Sequence, residues 1–137
     1  MDIDLSTDTP PSPEHTLRLA ETFAEAARRL NHQTMHHEAL VLPSEAHRLI
    51  GEIATAVSRL PQLLEQQSRW LERERQAGGL AVAYGPFAGN PDLAVVRARL
   101  SLDEARTSLY EAVTALEAAA SVTAALTARE DGHDDPA

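Results

Sequence analysis

The chain has 137 residues, no cysteine, two phenylalanines, two tyrosines, one tryptophan and a net charge of −9. That length suits one domain, and the absence of cysteine excludes disulfides, thiolate metal sites and cysteine nucleophiles. Alanine and leucine dominate, which fits helices packed side by side better than a sheet rich in β-branched and aromatic residues.

The charge is unevenly placed. Residues 1–13 carry Asp2, Asp4 and Asp8, and residues 130–137 carry Glu130, Asp131, Asp134 and Asp135. The 14 acids that remain of 21 face 12 basic residues in the body, so residues 14–129 are near neutral. All the basic residues are arginine, a bias expected of a GC-rich coding sequence. The start, MDIDLSTDTPPSP, lacks the basic flank and apolar run of a signal peptide. No apolar stretch approaches the roughly 20 residues needed to span a membrane. A cytoplasmic setting is the expectation.

Residues 1–12, with Pro10 and Pro11, are expected to be disordered. Ser12-Pro13-Glu14 then supplies an N-cap, a first-turn proline and an acid near a helix start. The first helix should run from about residue 13 to 31, with Leu17, Ala20, Ala24, Ala27 and Leu30 as its apolar stripe and Phe23 beside it. Residues 31–43 are ambiguous between continued helix and loop. Pro43 should end any helix before it, with Ser44 capping the next.

The second helix is expected from about 45 to 77. Its stripe is broad: Leu49, Ile50, Ile53, Ala56, Val57, Leu60, Leu63, Leu64, Trp70 and Leu71. Pro61 inside it should introduce a kink, and Gly78-Gly79 should terminate it. Residues 80–89, LAVAYGPFAG, form an apolar loop in which a short strand at 80–84 is an open alternative.

Asn90-Pro91-Asp92 repeats the helix-start pattern, and the third helix should run from about 91 to 129. Its apolar residues recur at steps of three and four: Leu102, Ala105, Leu109, Ala112, Leu116, Ala119, Thr123 and Leu126. This heptad seam belongs to a helix lying along another helix. Leu93, Val96 and Leu100 fall off that phase and broaden the apolar face. Ser101 and Glu104 form a capping-box pattern, which leaves a break near residue 101 open. Residues 130–137 are expected to be a second disordered acidic tail.

The expected fold is therefore all-α. A long antiparallel hairpin, about 45–77 and 91–129, packs with a shorter first helix in a single domain spanning 13–129. At 1.5 Å per residue the helices are roughly 30, 50 and 58 Å long. The first helix is too short to cover the hairpin's apolar face, so a homodimer or another helical protein is the expected partner.

Sites for chemistry are sparse. His32 and His36 would stand one turn apart on a continuing helix and are weak metal-ligand candidates, with no HExxH pattern. The acids alternate with arginines, Glu72 with Arg69 and Arg75 among them, as solvated ion pairs do. No nucleophile elbow, phosphate-binding loop or dinucleotide fingerprint is present. Catalysis and a cofactor are not expected. Arg69, Arg73, Arg97, Arg99 and Arg106 would make the loop end of the hairpin basic if their faces met. That supports a nucleic-acid-associated role as an alternative, opposed by the acidic tails. Trp70, Tyr84 and Phe87 are the partner-binding candidates, because aromatics dominate interface hot spots; capping of the bundle end is the competing role. The leading expectation is a non-enzymatic interaction or scaffolding protein.

In Leu17–Leu30, in Leu60-Pro61-Gln62-Leu63-Leu64 and at the loop-to-helix junction, the chain resembles small helical proteins of actinomycetes, especially streptomycetes. The resemblance implies a bacterial cytoplasmic setting and an accessory role in the maintenance or transfer of mobile elements. It transfers no functional residues. Secreted helical hairpins of the WXG type do not fit: Trp70-Leu71-Glu72 lacks the glycine and lies well before the turn.

Overall fold

The computed structural model describes residues 5–130. The parts of the two acidic tails at 1–4 and 131–137 lie outside the described residues. The protein is all-α: α1 is Pro13–Thr34, α2 is Pro43–Gln76 and α3 is Pro91–Thr123, with a 3-10 turn at His37–Ala39. The chain forms two compact units, one ending at Val41 and one beginning at Leu42.

In the first unit, residues 5–12 form turns and extended chain leading to α1. The Ser12 hydroxyl accepts the His15 amide at 3.1 Å and caps the helix. Helix α1 continues three residues past the expected end, to Thr34, whose hydroxyl bonds back to the Leu30 carbonyl at 2.8 Å. Its polar side carries local ion pairs, Arg18 with Glu14 and both Arg28 and Arg29 with Glu25. Its apolar side is open: Leu17, Phe23 and Leu30 are all exposed.

The second unit is an antiparallel hairpin. Pro43 does not merely follow a helix; it is the first residue of α2. Proline suits that position because its missing N–H would have no intrahelical acceptor. The Glu45 carboxylate reaches back to the Leu42 amide at 2.9 Å, which supplies the N-terminal cap in place of Ser44. At the other end the Gly79 amide bonds to the Glu74 carbonyl and the Gly78 amide to the Arg75 carbonyl. With Gly78 at φ 73° this is a Schellman termination.

Residues 80–90 form a loop with no strand. It closes on itself through the Gly89 amide and the Val82 carbonyl at 3.0 Å. The Asn90 side chain then accepts the Leu93 amide at 3.1 Å and starts α3. Helix α3 is unbroken through Ser101 but ends at Thr123, six residues short of the expected end. The reason lies on α2. The His47 ring meets the Thr123 hydroxyl at 3.1 Å, only four residues after α2 begins. Beyond Thr123 only about one turn of α2 remains to face a continued helix. Leu126, expected on the seam, lies outside α3 and is exposed.

Candidate interaction surface

Burial along the hairpin follows heptads on both helices. On α2 the inward positions are His47, Ile50, Ala54, Val57, Pro61, Leu64, Ser68, Leu71 and Arg75, all buried or half-buried. On α3 they are Val95, Arg99, Leu102, Arg106, Leu109, Val113, Leu116, Ala120 and Thr123. Steps alternate between three and four throughout, the spacing of paired long helices. Pro61 occupies a buried seam position.

This seam corrects the sequence-based one in half of its members. Leu102, Leu109, Leu116 and Thr123 lie on it. The companion row is Arg99, Arg106, Val113 and Ala120 rather than Ala105, Ala112 and Ala119. Ala105 and Ala112 sit at the seam's edge, half-buried, and Ala119 is exposed. The two arginines disguise the true row, because arginine ordinarily marks a solvated position.

Both arginines find partners across the hairpin. Arg99 donates to the Ser68 hydroxyl at 2.9 Å and lies 3.2 Å from the Glu72 carboxylate. Arg106 lies 3.6 Å from Glu65 and 3.4 Å from Asp103. Its Nε is enclosed without a hydrogen-bond acceptor, a cost that fits a seam built partly from charged side chains. Arg75 is hydrogen-bonded to Glu72 at 2.7 Å and lies 3.4 Å from Asp92. The Arg75 guanidinium holds the Glu72 carboxyl down at about 2, with Gln76 and Arg99 adding to the effect. These acids and bases form a network linking α2 to α3, partly buried rather than freely solvated. The expected basic end is correspondingly neutralised at Arg69, Arg99 and Arg106, since Arg69 pairs with Glu65 at 2.7 Å.

The network lies along one edge of the seam. Glu65 and Glu72 follow Leu64 and Leu71, and Asp103 follows Leu102, so the positions just after these leucines share that edge. On an antiparallel pair the positions just before the companion rows share the opposite edge. There α2 presents Ala46, Leu49, Ile53, Ala56, Leu60, Leu63, Gln67 and Trp70. On the same side α3 presents Ala98, Ser101, Ala105, Ser108, Ala112, Ala115, Ala119 and Val122. None of these sixteen side chains is charged. Ile53, Leu63 and Trp70 are 38%, 47% and 47% exposed. The broad α2 stripe read from the sequence thus serves two faces: Ile50, Val57, Leu64 and Leu71 close the hairpin, and the rest form this flank. A shorter apolar patch, Leu93, Val96 and Leu100, lies exposed on the other side of α3 near the loop.

Of the aromatic candidates, Trp70 belongs to the uncharged flank. Tyr84 projects from the loop at 86% exposure, and Phe87 is half-buried in it. No ring contact joins Trp70 to either among the described residues. His32 lies in the last turns of α1, while His36 falls beyond its end at the 3-10 turn. Their rings meet edge to face at 5.4 Å. No group of three or more potential metal ligands forms among the described residues. Concave surface beside α1 is lined in one place by Arg18, Glu21, Thr22, Glu25, Ala26 and Arg29, the polar side of a single helix. No described helix is long and apolar enough to cross a membrane.

No protein-family model, no curated protein and no solved structure matches the chain.

Proposed function

We propose that this protein works without catalysis, as an interaction module that associates through helix–helix contacts. The observation that supports this reading most is the uncharged flank of the hairpin. An ordinary solvated helix carries charge on its outward positions, and α2 and α3 do so on their other sides apart from the short patch of Leu93, Val96 and Leu100. A contiguous uncharged and largely apolar face on two antiparallel helices has the character of a binding surface. Aromatic and leucine side chains standing half-exposed on it have the character of interface anchors.

The test is recovery of partners from cells that make the protein, with tagged wild-type chain and a Leu63→Glu variant compared side by side. The variant should lose at least one protein, either an untagged copy of this chain or another species, while keeping its helical circular dichroism. Identical recovery from both baits would overturn the reading.

A further inference from the structure

We infer that the uncharged flank is the self-association face of a two-fold dimer, in which α2 of each chain lies over α3 of the other. This rests on the interaction reading above and names its occupant.

The argument is the shape of the face. Its two halves differ in size. The α2 half carries the large side chains, Leu49, Ile53, Leu60, Leu63 and Trp70, as a ridge interrupted by Ala46, Ala56 and Gln67. The α3 half is a trough of alanines and serines from Ala98 to Ala119, closed at its far end by the exposed Val122. A ridge and a trough side by side on one face are complementary to a rotated copy of themselves. Small residues let helices approach closely, and large ones fill the space between backbones. An isologous interface requires such self-complementarity.

The lengths agree as well. Leu49 to Trp70 and Ala98 to Ala119 each span 21 residues, roughly 32 Å of helix. The two rows are level along the hairpin. His47 contacts Thr123 at one end, and Ser68 contacts Arg99 near the other. A two-fold axis running along the helices preserves that level, so Leu63 of one chain faces Ser108 of its partner. It makes every neighbouring pair of helices antiparallel and brings both 80–90 loops to the same end. A two-fold axis across the helices would instead set ridge on ridge and trough on trough. The absence of charge means that no ionisable group must be stripped of water when the faces meet, so the usual penalty for burying charge does not arise.

The experiment uses the purified full chain. Light scattering in the micromolar range should give about twice the 14.9 kDa chain mass, and Leu63→Glu should give the single-chain mass with helicity retained. Because the chain has no cysteine, a Leu63→Cys/Ser108→Cys double variant tests the orientation. On oxidation it should form a covalent dimer that neither single variant forms. A single-chain mass for the wild type, or equal cross-linking by Leu63→Cys alone, would overturn the inference. A single-chain mass together with another protein lost from the Leu63→Glu bait would remove the second copy and leave the interaction reading standing. A single-chain mass with identical recovery would remove both.

Discussion

Arg99 on α3 donates its Nε–H to the Oγ of Ser68 on α2 at 2.9 Å, and Ser68 is among the few buried residues of the described chain. A serine and an arginine thus occupy facing positions of a seam whose other members are mostly Leu, Val, Ile and Ala. With Glu72 3.2 Å from the same guanidinium, the layer is satisfied only when these two levels of the helices meet. A polar layer of this kind penalises a shifted register, because a slip separates Arg99 from both Ser68 and Glu72.

Removing one member of that layer should therefore cost more than removing both. Arg99→Leu alone leaves the Ser68 hydroxyl buried without its donor and should lower unfolding free energy by about 1–3 kcal/mol. Arg99→Leu with Ser68→Ala replaces the pair by apolar contact and should recover most of that loss. Urea titrations of the two single variants and the double variant measure the coupling directly.

The phase of the α3 seam is open to a similar comparison. Val113 lies on the seam and Leu126 lies past the end of α3. Val113→Asp places a carboxylate between the helices and should unfold the hairpin or lower its melting temperature severely. Leu126→Ala, at a position that is exposed and outside the helix, should change stability by no more than about 0.5 kcal/mol. Thermal melts followed by circular dichroism separate the two. Equal effects would return the seam to the sequence-derived phase.

Local signals in the sequence were readable, and the long-range pairing was not. Ser12 and Asn90 cap their helices as their side chains dictate, because the capping bond reaches only three residues. Gly78 and Gly79 end α2 for equally local reasons. The Leu102, Leu109 and Leu116 row follows from spacing alone. Its companion does not. Arg99 and Arg106 resemble surface residues until Ser68, Glu72 and Glu65 are placed opposite them, and Ala105, Ala112 and Ala119 resemble core residues until the second helix fixes the angle. The end of α3 at Thr123 likewise depends on where α2 begins, which Pro43 sets from some eighty residues away. The α2 stripe was visible as one broad face; its division between the hairpin and an open flank required the partner helix.

Gly78 offers a test of backbone alone. It holds φ 73°, and a methyl group built there would meet nothing within 4 Å. Gly78→Ala therefore introduces no clash, only the left-handed strain of a residue with a Cβ. The expected loss is about 1–2 kcal/mol, seen as a lower urea midpoint at unchanged slope. No loss would mean that the Schellman end contributes nothing to the hairpin.

Acid should weaken the hairpin through Glu72. Its carboxyl is held at about 2 in the folded chain, first by the hydrogen bond from Arg75. The unfolded carboxyl titrates near 4.5. A depressed folded value favours the native state above the unfolded value, and that contribution is lost as pH falls from about 4.5 to about 2. Glu25 on α1 is also held at about 2, by Arg28 and Arg29, but those partners are on its own helix. Exposed pairs at i,i+3 or i,i+4 contribute little to tertiary stability. Arg75 is on Glu72's own helix too, so the part of the effect that joins α2 to α3 is the smaller one from Arg99, whereas both partners of Glu25 lie on α1. Melting temperatures recorded from pH 6 to pH 2 should fall less steeply for Glu72→Gln than for wild type. Glu25→Gln should follow the wild-type curve closely, because its ion pairs do not hold one helix to another. If Glu25→Gln flattened the acid limb more than Glu72→Gln, the cross-hairpin network would not be the source of the pH dependence.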